Sequence, residues 1–237
     1  MLVMNKMDID LRNYLQQNHN QLTWKERVQI TNDIINALHT IHYEKAIHRD
    51  LHSGNLLFTK LDQRFGISDL GFCGPADKSP TSIYGNLPYI APEVISRKEY
   101  TFKSDIYSIG MLMWEISSGQ PPFSIYEHDL DFAMNIINGM RPKIVPETPL
   151  EYKSLMEQCW DADPLKRPDI YTLWEKMHEI NLHYQNTSSE LTQQIQPDDS
   201  KTNYTRSSKL LTSKVHQFEN MPEPKNATEG NFITYYH

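Results

Sequence analysis

Val28, Thr31, Ile34, Ile35, Leu38 and Ile41 recur at three- and four-residue intervals, which is the apolar stripe of one amphipathic helix. Thr23-Trp24-Lys25-Glu26 puts a hydroxyl at the N-cap and a carboxylate three residues on, so the helix should begin there and run to about Tyr43. Two short apolar runs follow, Leu56–Thr59 and Phe65–Ser68, separated by a turn containing Lys60-Leu61-Asp62-Gln63; they predict a small β ribbon. Ser104 is the expected cap of a second long helix, from Asp105 to about Ser118. Ile106, Ile109, Met111, Leu112, Met113, Trp114 and Ile116 make it apolar nearly all round, as a helix in the middle of a core must be. Gly119 and Pro121-Pro122 stop it. Three more helices are expected near 127–138, 150–159 and 169–180.

The periodicity fades after residue 180. Residues 181–237 are rich in Ser, Thr, Asn, Gln and Lys, with scattered apolar residues, and such a composition buries too little to offset ordering entropy. The expectation is a folded unit over 1–180, α+β but mainly α, followed by a disordered tail over 181–237. A short docking patch around Leu210-Leu211 or Phe218 is the alternative for that tail.

Composition narrows the partners. The 237 residues carry a net charge of -7, so no basic face offers itself to nucleic acid or to an anionic membrane. No stretch reaches the roughly eighteen apolar residues that span a bilayer, and the N-terminus has no signal-like apolar region. Two cysteines, Cys73 and Cys159, are too few for a disulfide framework and show no C-x-x-C spacing, which points to a reducing, cytoplasmic location.

The chemistry-bearing residues lie between and after the predicted elements. His48-Arg49-Asp50-Leu51-His52-Ser53-Gly54-Asn55 precedes the first strand, Ser68-Asp69-Leu70-Gly71 follows the second, and Ala91-Pro92-Glu93 comes next. Each is weak alone, but in this order on loop, strand, strand, loop and helix they resemble the H-R-D-x-x-x-x-N, D-F-G and A-P-E set of protein kinases. Cys159-Trp160-Asp161-Ala162-Asp163-Pro164-Leu165-Lys166-Arg167-Pro168 resembles that family's C-W-x-x-D-P-x-x-R-P run. The resemblance covers residues 1 to about 180 and implies the C-terminal lobe of a kinase.

It also implies roles. Asp50 would orient the substrate hydroxyl and accept its proton, and Asn55 and Asp69 would hold Mg²⁺ on the phosphates of ATP. His48 and Leu70 would stack in the lower half of a hydrophobic spine, and Leu57 would floor the adenine site. Met4 would be the gatekeeper, with the hinge backbone running from Asn5 to Met7. Asp105 would receive backbone N–H groups of the catalytic loop, and Glu93 would pair with Arg167. Arg49 would need a counter-anion, namely an activation-segment phosphate on Ser79, Thr81, Ser82 or Tyr84. The expected partner is a protein substrate, with a further partner possible at the helices around Tyr126–Gly139.

Several positions depart from the pattern. Only 47 residues precede His48, and the chain contains neither G-x-G-x-x-G nor V-A-I-K. Losing those phosphate contacts removes roughly 4–6 kcal/mol, on the order of a thousandfold in nucleotide affinity. The chain alone is thus expected to be a weak or inactive kinase, either a shortened form of a longer one or a binding module that moves no phosphate. His52 stands where Ser/Thr kinases carry Lys, and Asn86 stands in the Gly85-Asn86-Leu87-Pro88-Tyr89 loop where they carry Thr. His52 and Asn86 are expected to replace that contact by an imidazole–amide hydrogen bond. Tyr89 goes with Ser/Thr acceptors, and the mixture resembles the tyrosine-kinase-like group. Leu70 replaces Phe in D-F-G.

Overall fold

A computed structural model describes residues 8–75, 83–187, 212–218, 221–228 and 232–233. The chain opens with β1 (Ile9–Asp10) and α1 (Leu11–Asn18), where the Asp10 carboxylate accepts the Asn13 N–H at 2.9 Å. α2 (Trp24–Tyr43) starts at the reciprocal box the sequence implies: Thr23 Oγ1 accepts the Glu26 N–H at 3.3 Å, and Glu26 accepts the Thr23 N–H at 2.7 Å. The short β2 (Ala46–Ile47) leads into the loop that carries Asp50. β3 (Leu56–Thr59) and β4 (Arg64–Ile67) form the expected ribbon, and β1 adds to β3 to give an antiparallel sheet ordered β1-β3-β4. β5 (Gly74–Pro75) pairs with β2, while β6 (Ile83–Gly85) and α3 (Pro92–Ile95) lead to the central helix.

That helix, α4 (Phe102–Ser118), is buried from Ser104 through Ser117. Its start differs from the expectation. Thr101, not Ser104, is the N-cap, and Ser104 sits three residues on, with Oγ accepting the Thr101 N–H at 2.9 Å. A serine can occupy either place in a reciprocal cap, so composition alone does not separate them. At the other end Gly119 adopts φ 73°, and a Cβ there would lie 2.3 Å from the His19 ring, so both backbone and packing demand glycine. α5 (Leu130–Ile137), β7 (Arg141–Pro142), α6 (Leu150–Cys159) and α7 (Ile170–Thr187) complete the lobe, with α7 along α2 and α6 along α4. Each fully buried apolar side chain here contributes about 1.5–3 kcal/mol.

A polar clamp fixes the lower half. Arg167 is 2% exposed and donates from Nη1 and Nη2 to the two Glu93 carboxylate oxygens, both at 2.7 Å, and further to Asp161 O and Lys103 O. Every charge is answered, which is the condition for such a pair to survive burial. Cys73 and Cys159 are free thiols. Among the described residues no helix is long and apolar enough to cross a membrane.

The expectation of a structureless 181–237 fails over several stretches. α7 continues to Thr187, and β8 (Lys214–His216) pairs antiparallel with β6. β9 (Phe232–Ile233) pairs parallel with β7. Between them Met221–Thr228 lies on the lobe: Ser96 Oγ donates to Pro222 O at 2.8 Å, Lys225 N to Ile137 O at 2.8 Å, and Ala162 N to the Asn226 side chain at 2.7 Å. Part of the Tyr126–Gly139 region assigned to a partner is therefore met by the chain's own tail. Composition misses this because backbone pairing and side-chain-to-backbone bonds supply many of the contacts, with Phe218 and Met221 as isolated apolar anchors. Leu210-Leu211 lies outside the described residues, whereas Phe218 is buried at 7% exposure.

Candidate active site

The loop after β2 is held by one carboxylate. Asp105, in the first turn of α4, accepts the His48 N–H at 2.8 Å and the Arg49 N–H at 3.0 Å, and its Oδ2 also takes His42 Nε2 at 2.9 Å. Arg49 has φ 72°, a conformation that costs a non-glycine residue on the order of 1–3 kcal/mol. Two charge-assisted bonds of about 1.5–3 kcal/mol each offset that strain. His42 was not singled out from the sequence; it is a buried histidine near the end of α2, and only the fold brings it to α4.

Beyond Arg49 the backbone delivers Asp50, which is 4% exposed. Asn55 Nδ2 donates to Asp50 O at 2.9 Å and approaches Asp50 Oδ2 at 3.5 Å. Asn55 O in turn accepts both the Ser68 N–H at 2.8 Å and the Ser68 hydroxyl at 2.9 Å, which ties the end of β4 to the loop. His48 is fully buried: its Nδ1 accepts the Asp50 N–H at 3.3 Å and its Nε2 donates to Ser68 O at 3.0 Å. Asp69 follows at once, in a left-handed turn with φ 57°, exposed, its Oδ1 accepting the Gly71 N–H at 3.4 Å. Loop and strand end are thus stitched together by backbone groups, the Ser68 hydroxyl and the His48 imidazole. Burial pushes the Asp50 carboxyl up, but hydrogen bonds and charge from His52, Ser213 and His48 outweigh it and hold the group below its ordinary range.

An open cavity of about 970 Å³ borders this edge, lined among others by Leu57, Ile67, Ser68, Asp69 and Leu70. Met4, Asn5 and Met7 lie outside the described residues. Because Asn55 Nδ2 is already bonded, its Oδ1 is the oxygen donor left over, and Asp69 supplies exposed carboxylate oxygens. Among the described residues no three His, Cys, Asp or Glu side chains form a ready-made metal cage. A magnesium ion that keeps water and phosphate oxygens in its shell needs only one or two protein oxygens, so the donor set fits it.

Over residues 1–177 the chain matches the protein tyrosine and serine/threonine kinase family. The chain belongs to the protein kinase family. Within it, the tyrosine-kinase-like group fits the relatives. A dual specificity protein kinase of Dictyostelium discoideum is 34% identical over 197 residues, 76% of this chain and 25% of that protein. A human dual serine/threonine and tyrosine protein kinase is 36% identical over 172 residues, 71% of this chain and 18% of that protein. A serine/threonine-protein kinase of Arabidopsis thaliana is 31% identical over 156 residues, 65% of this chain and 27% of that protein. The chain thus spans about a quarter or less of the first two, and little more of the third.

Within this kinase domain two expectations need correction. Leu70 does not stack with His48 in a buried spine; it is 57% exposed on the cavity rim. The left-handed turn at Asp69 sends Leu70–Phe72 outward as a 3-10 turn, and Phe72 instead stacks on Tyr84 with ring centres 3.7 Å apart. Nor is His52 turned to Asn86. Its Nδ1 accepts the Gly54 N–H at 3.1 Å, and its Nε2 lies 3.0 Å from Ser213 Oγ and 3.7 Å from Asp50 Oδ2, so both ring nitrogens are engaged elsewhere.

The Arg49 side chain donates to Phe72 O at 3.3 Å and Pro75 O at 2.9 Å, backbone carbonyls of the activation segment among the described residues. Ser79, Thr81 and Ser82 lie outside the described residues. Tyr84 is held by its backbone, the N–H and C=O both bonding the Tyr100 hydroxyl at 3.1 and 2.7 Å.

Sequence reading also missed a buried chain under the loop. Arg12 Nε donates to Ser53 Oγ at 3.2 Å, Ser53 Oγ lies 3.4 Å from the Tyr89 hydroxyl, and Tyr89 donates to Glu115 at 2.7 Å. Burial raises the Glu115 carboxyl although Arg12 stands nearby. A signal existed: Glu115 is the only charged residue between Asp105 and Gly119 in a helix otherwise built for a core.

Proposed function

We propose that this domain transfers the γ-phosphoryl group of ATP, taken as its Mg²⁺ complex, to Ser or Thr hydroxyls of proteins. The observation that carries the reading is Asp50: a buried carboxylate kept in its ionised form, fixed to Asn55 and backed by the Asp105 anchor. Asp50 would align the acceptor hydroxyl and take its proton, a role worth about 10²–10⁴ in rate. Asn55 Oδ1 and Asp69 would hold the magnesium, which neutralises charge on the phosphates when bound. Leu57 would support the adenine ring in the open cavity. Tyrosine is a second acceptor class, since the human relative is named as a dual serine/threonine and tyrosine protein kinase.

The 237 residues contain no Gly-rich loop and no V-A-I-K lysine, so nucleotide binding by this chain alone should be weak. Purified chain should show no thermal shift with millimolar Mg-ATP, yet slow transfer of labelled γ-phosphate to a generic Ser/Thr protein acceptor at the same nucleotide level. Asp50→Asn should reduce that transfer by about 10²–10⁴. Transfer that survives the substitution, or never occurs, would refute the assignment and leave a binding module.

A further inference from the structure

The described part of the tail reaches the Asp50 loop, where on the kinase reading a substrate hydroxyl would lie. β8 adds an antiparallel strand to β6, with Gly85 opposite Lys214, Tyr84 opposite Val215 and Ile83 opposite His216. This is strand addition, in which main-chain bonds give affinity and alternate side chains give register. Ser213, one residue before the paired strand, projects its hydroxyl into the catalytic loop. Its Oγ donates to Asp50 Oδ1 at 2.8 Å, and the same oxygen lies 3.0 Å from His52 Nε2. Since His52 Nδ1 accepts the Gly54 N–H, Nε2 carries a proton and donates to Ser213.

The seat is built for this approach. Gly85 has φ 141°, and a Cβ there would stand 3.3 Å from Asp50 Oδ1 and from the Ile90 side chain. The residues after Ser213 are anchored one by one. Lys214 Nζ donates to His128 O at 3.2 Å. His216 is buried, its Nε2 donating to Gly85 O at 3.0 Å and its ring stacked on Phe218. Phe218 O accepts from Arg97 Nε, and Lys98 pairs with Glu223 at 2.5 Å. Such tethering holds the serine at an effective concentration that a free protein acceptor would need about millimolar levels to match.

We propose that Ser213 is an intramolecular phospho-acceptor of this domain, delivered to Asp50 by the Thr212–Phe218 strand, which in its unmodified state fills the peptide groove. The inference rests on the kinase reading above. The co-reactant is a nucleoside triphosphate. The Ser213 Oγ–P bond forms as the bond from the γ-phosphorus to the bridging oxygen breaks; that electron pair leaves with the nucleoside diphosphate, and the hydroxyl proton passes to Asp50 Oδ1. The product phosphate, carrying about -1.5 to -2 charge beside the Asp50 carboxylate, weakens the strand's hold and opens the groove to other proteins.

Two measurements test this on the whole chain. In nucleotide-free protein, amides of β6 and β8 should show hydrogen-exchange protection, lost by tenfold or more when His216→Ala and Phe218→Ala are combined; equal exchange in both proteins overturns the seating. With millimolar Mg-ATP, site mapping should find phosphate on Ser213 at a rate independent of protein concentration, absent in Ser213→Ala. The tail double variant should lose this label and phosphorylate a generic acceptor severalfold faster. Asp50-dependent transfer to the generic acceptor with Ser213 unlabelled overturns the inference and spares the kinase reading; no transfer to either acceptor overturns the kinase reading itself.

Discussion

The two loops that make the site are held in opposite ways. His48–Asn55 is buried and over-determined: Asp105, Asn55 and His48 answer its backbone from within the lobe. Asp69–Pro75 lies on the surface, with Leu70 57% exposed and Phe72 41% exposed, and the Arg49 side chain reaches its carbonyls from below. The lobe therefore builds by itself the half that carries Asp50, the proton acceptor of the proposed function. The half that carries Asp69, which the proposed function assigns to metal and phosphate, is only attached to it and borders an open cavity.

The contrast is most sharply tested at its anchor. Asp105→Ala leaves the His48 and Arg49 N–H groups without their acceptor and His42 without its carboxylate. At about 1–3 kcal/mol for each stranded buried donor, unfolding stability should fall by roughly 3–5 kcal/mol. Denaturant unfolding of the two proteins measures it, and a loss below about 1 kcal/mol would mean the loop is not anchored through this carboxylate.

Acid should act on neither loop first but on the groove that carries the tail. Burial lowers the pKa of His128 to about 4, assisted by Lys214, His216 and Arg12 and opposed by Asp129. His128 Nε2 is buried with no hydrogen-bond partner among the described residues, and the ring stacks on Phe132. Burial lowers His216 too. For a histidine with a depressed folded-state pKa, the neutral form is the stabilised one. Its contribution is full above the ordinary value near 6.5 and is lost as pH falls from there towards 4. Allowing for partial exposure, the loss at His128 is about 1–2 kcal/mol. Protection of the β8 amides, corrected for the intrinsic exchange rate at each pH, should fall between pH 7 and pH 5, and His128→Gln should flatten that dependence.

Helices and ribbon were legible because each shows in a local pattern: the α2 stripe, the nearly all-apolar α4, and the short apolar runs of the ribbon with a turn between them. The acids and the amide of the site were legible as motifs. What stayed hidden depends on long-range closure. Ser213 and Asp50 are 163 residues apart, His42 and Asp105 are 63 apart, and no periodicity links either pair. Leu70 was misplaced because the resemblance carries over a buried spine position, whereas the left-handed turn at Asp69 points the side chain outward.

Arg49→Ala probes the tether between the halves. Among the described residues the hydrogen bonds to Phe72 O and Pro75 O would be lost at an exposed site, and these contribute about 1 kcal/mol. The larger sign is local: exchange at Phe72–Pro75 should rise while that at His48–Asn55 stays unchanged, because Asp105 rather than the arginine head holds the inner loop.

Asp69→Asn should show the smallest effect on folding. The side chain is exposed and accepts one long bond, so the change in unfolding free energy should stay within about 0.5 kcal/mol, as for surface substitutions in general. Transfer of γ-phosphate should nonetheless fall to background, because amide oxygen is a weaker ligand than carboxylate for a hard cation. A residue that matters to chemistry and not to folding belongs to the attached half. If Asp69→Asn destabilised the chain as much as Asp105→Ala, the two loops would be one structural unit and the division drawn between them would be lost.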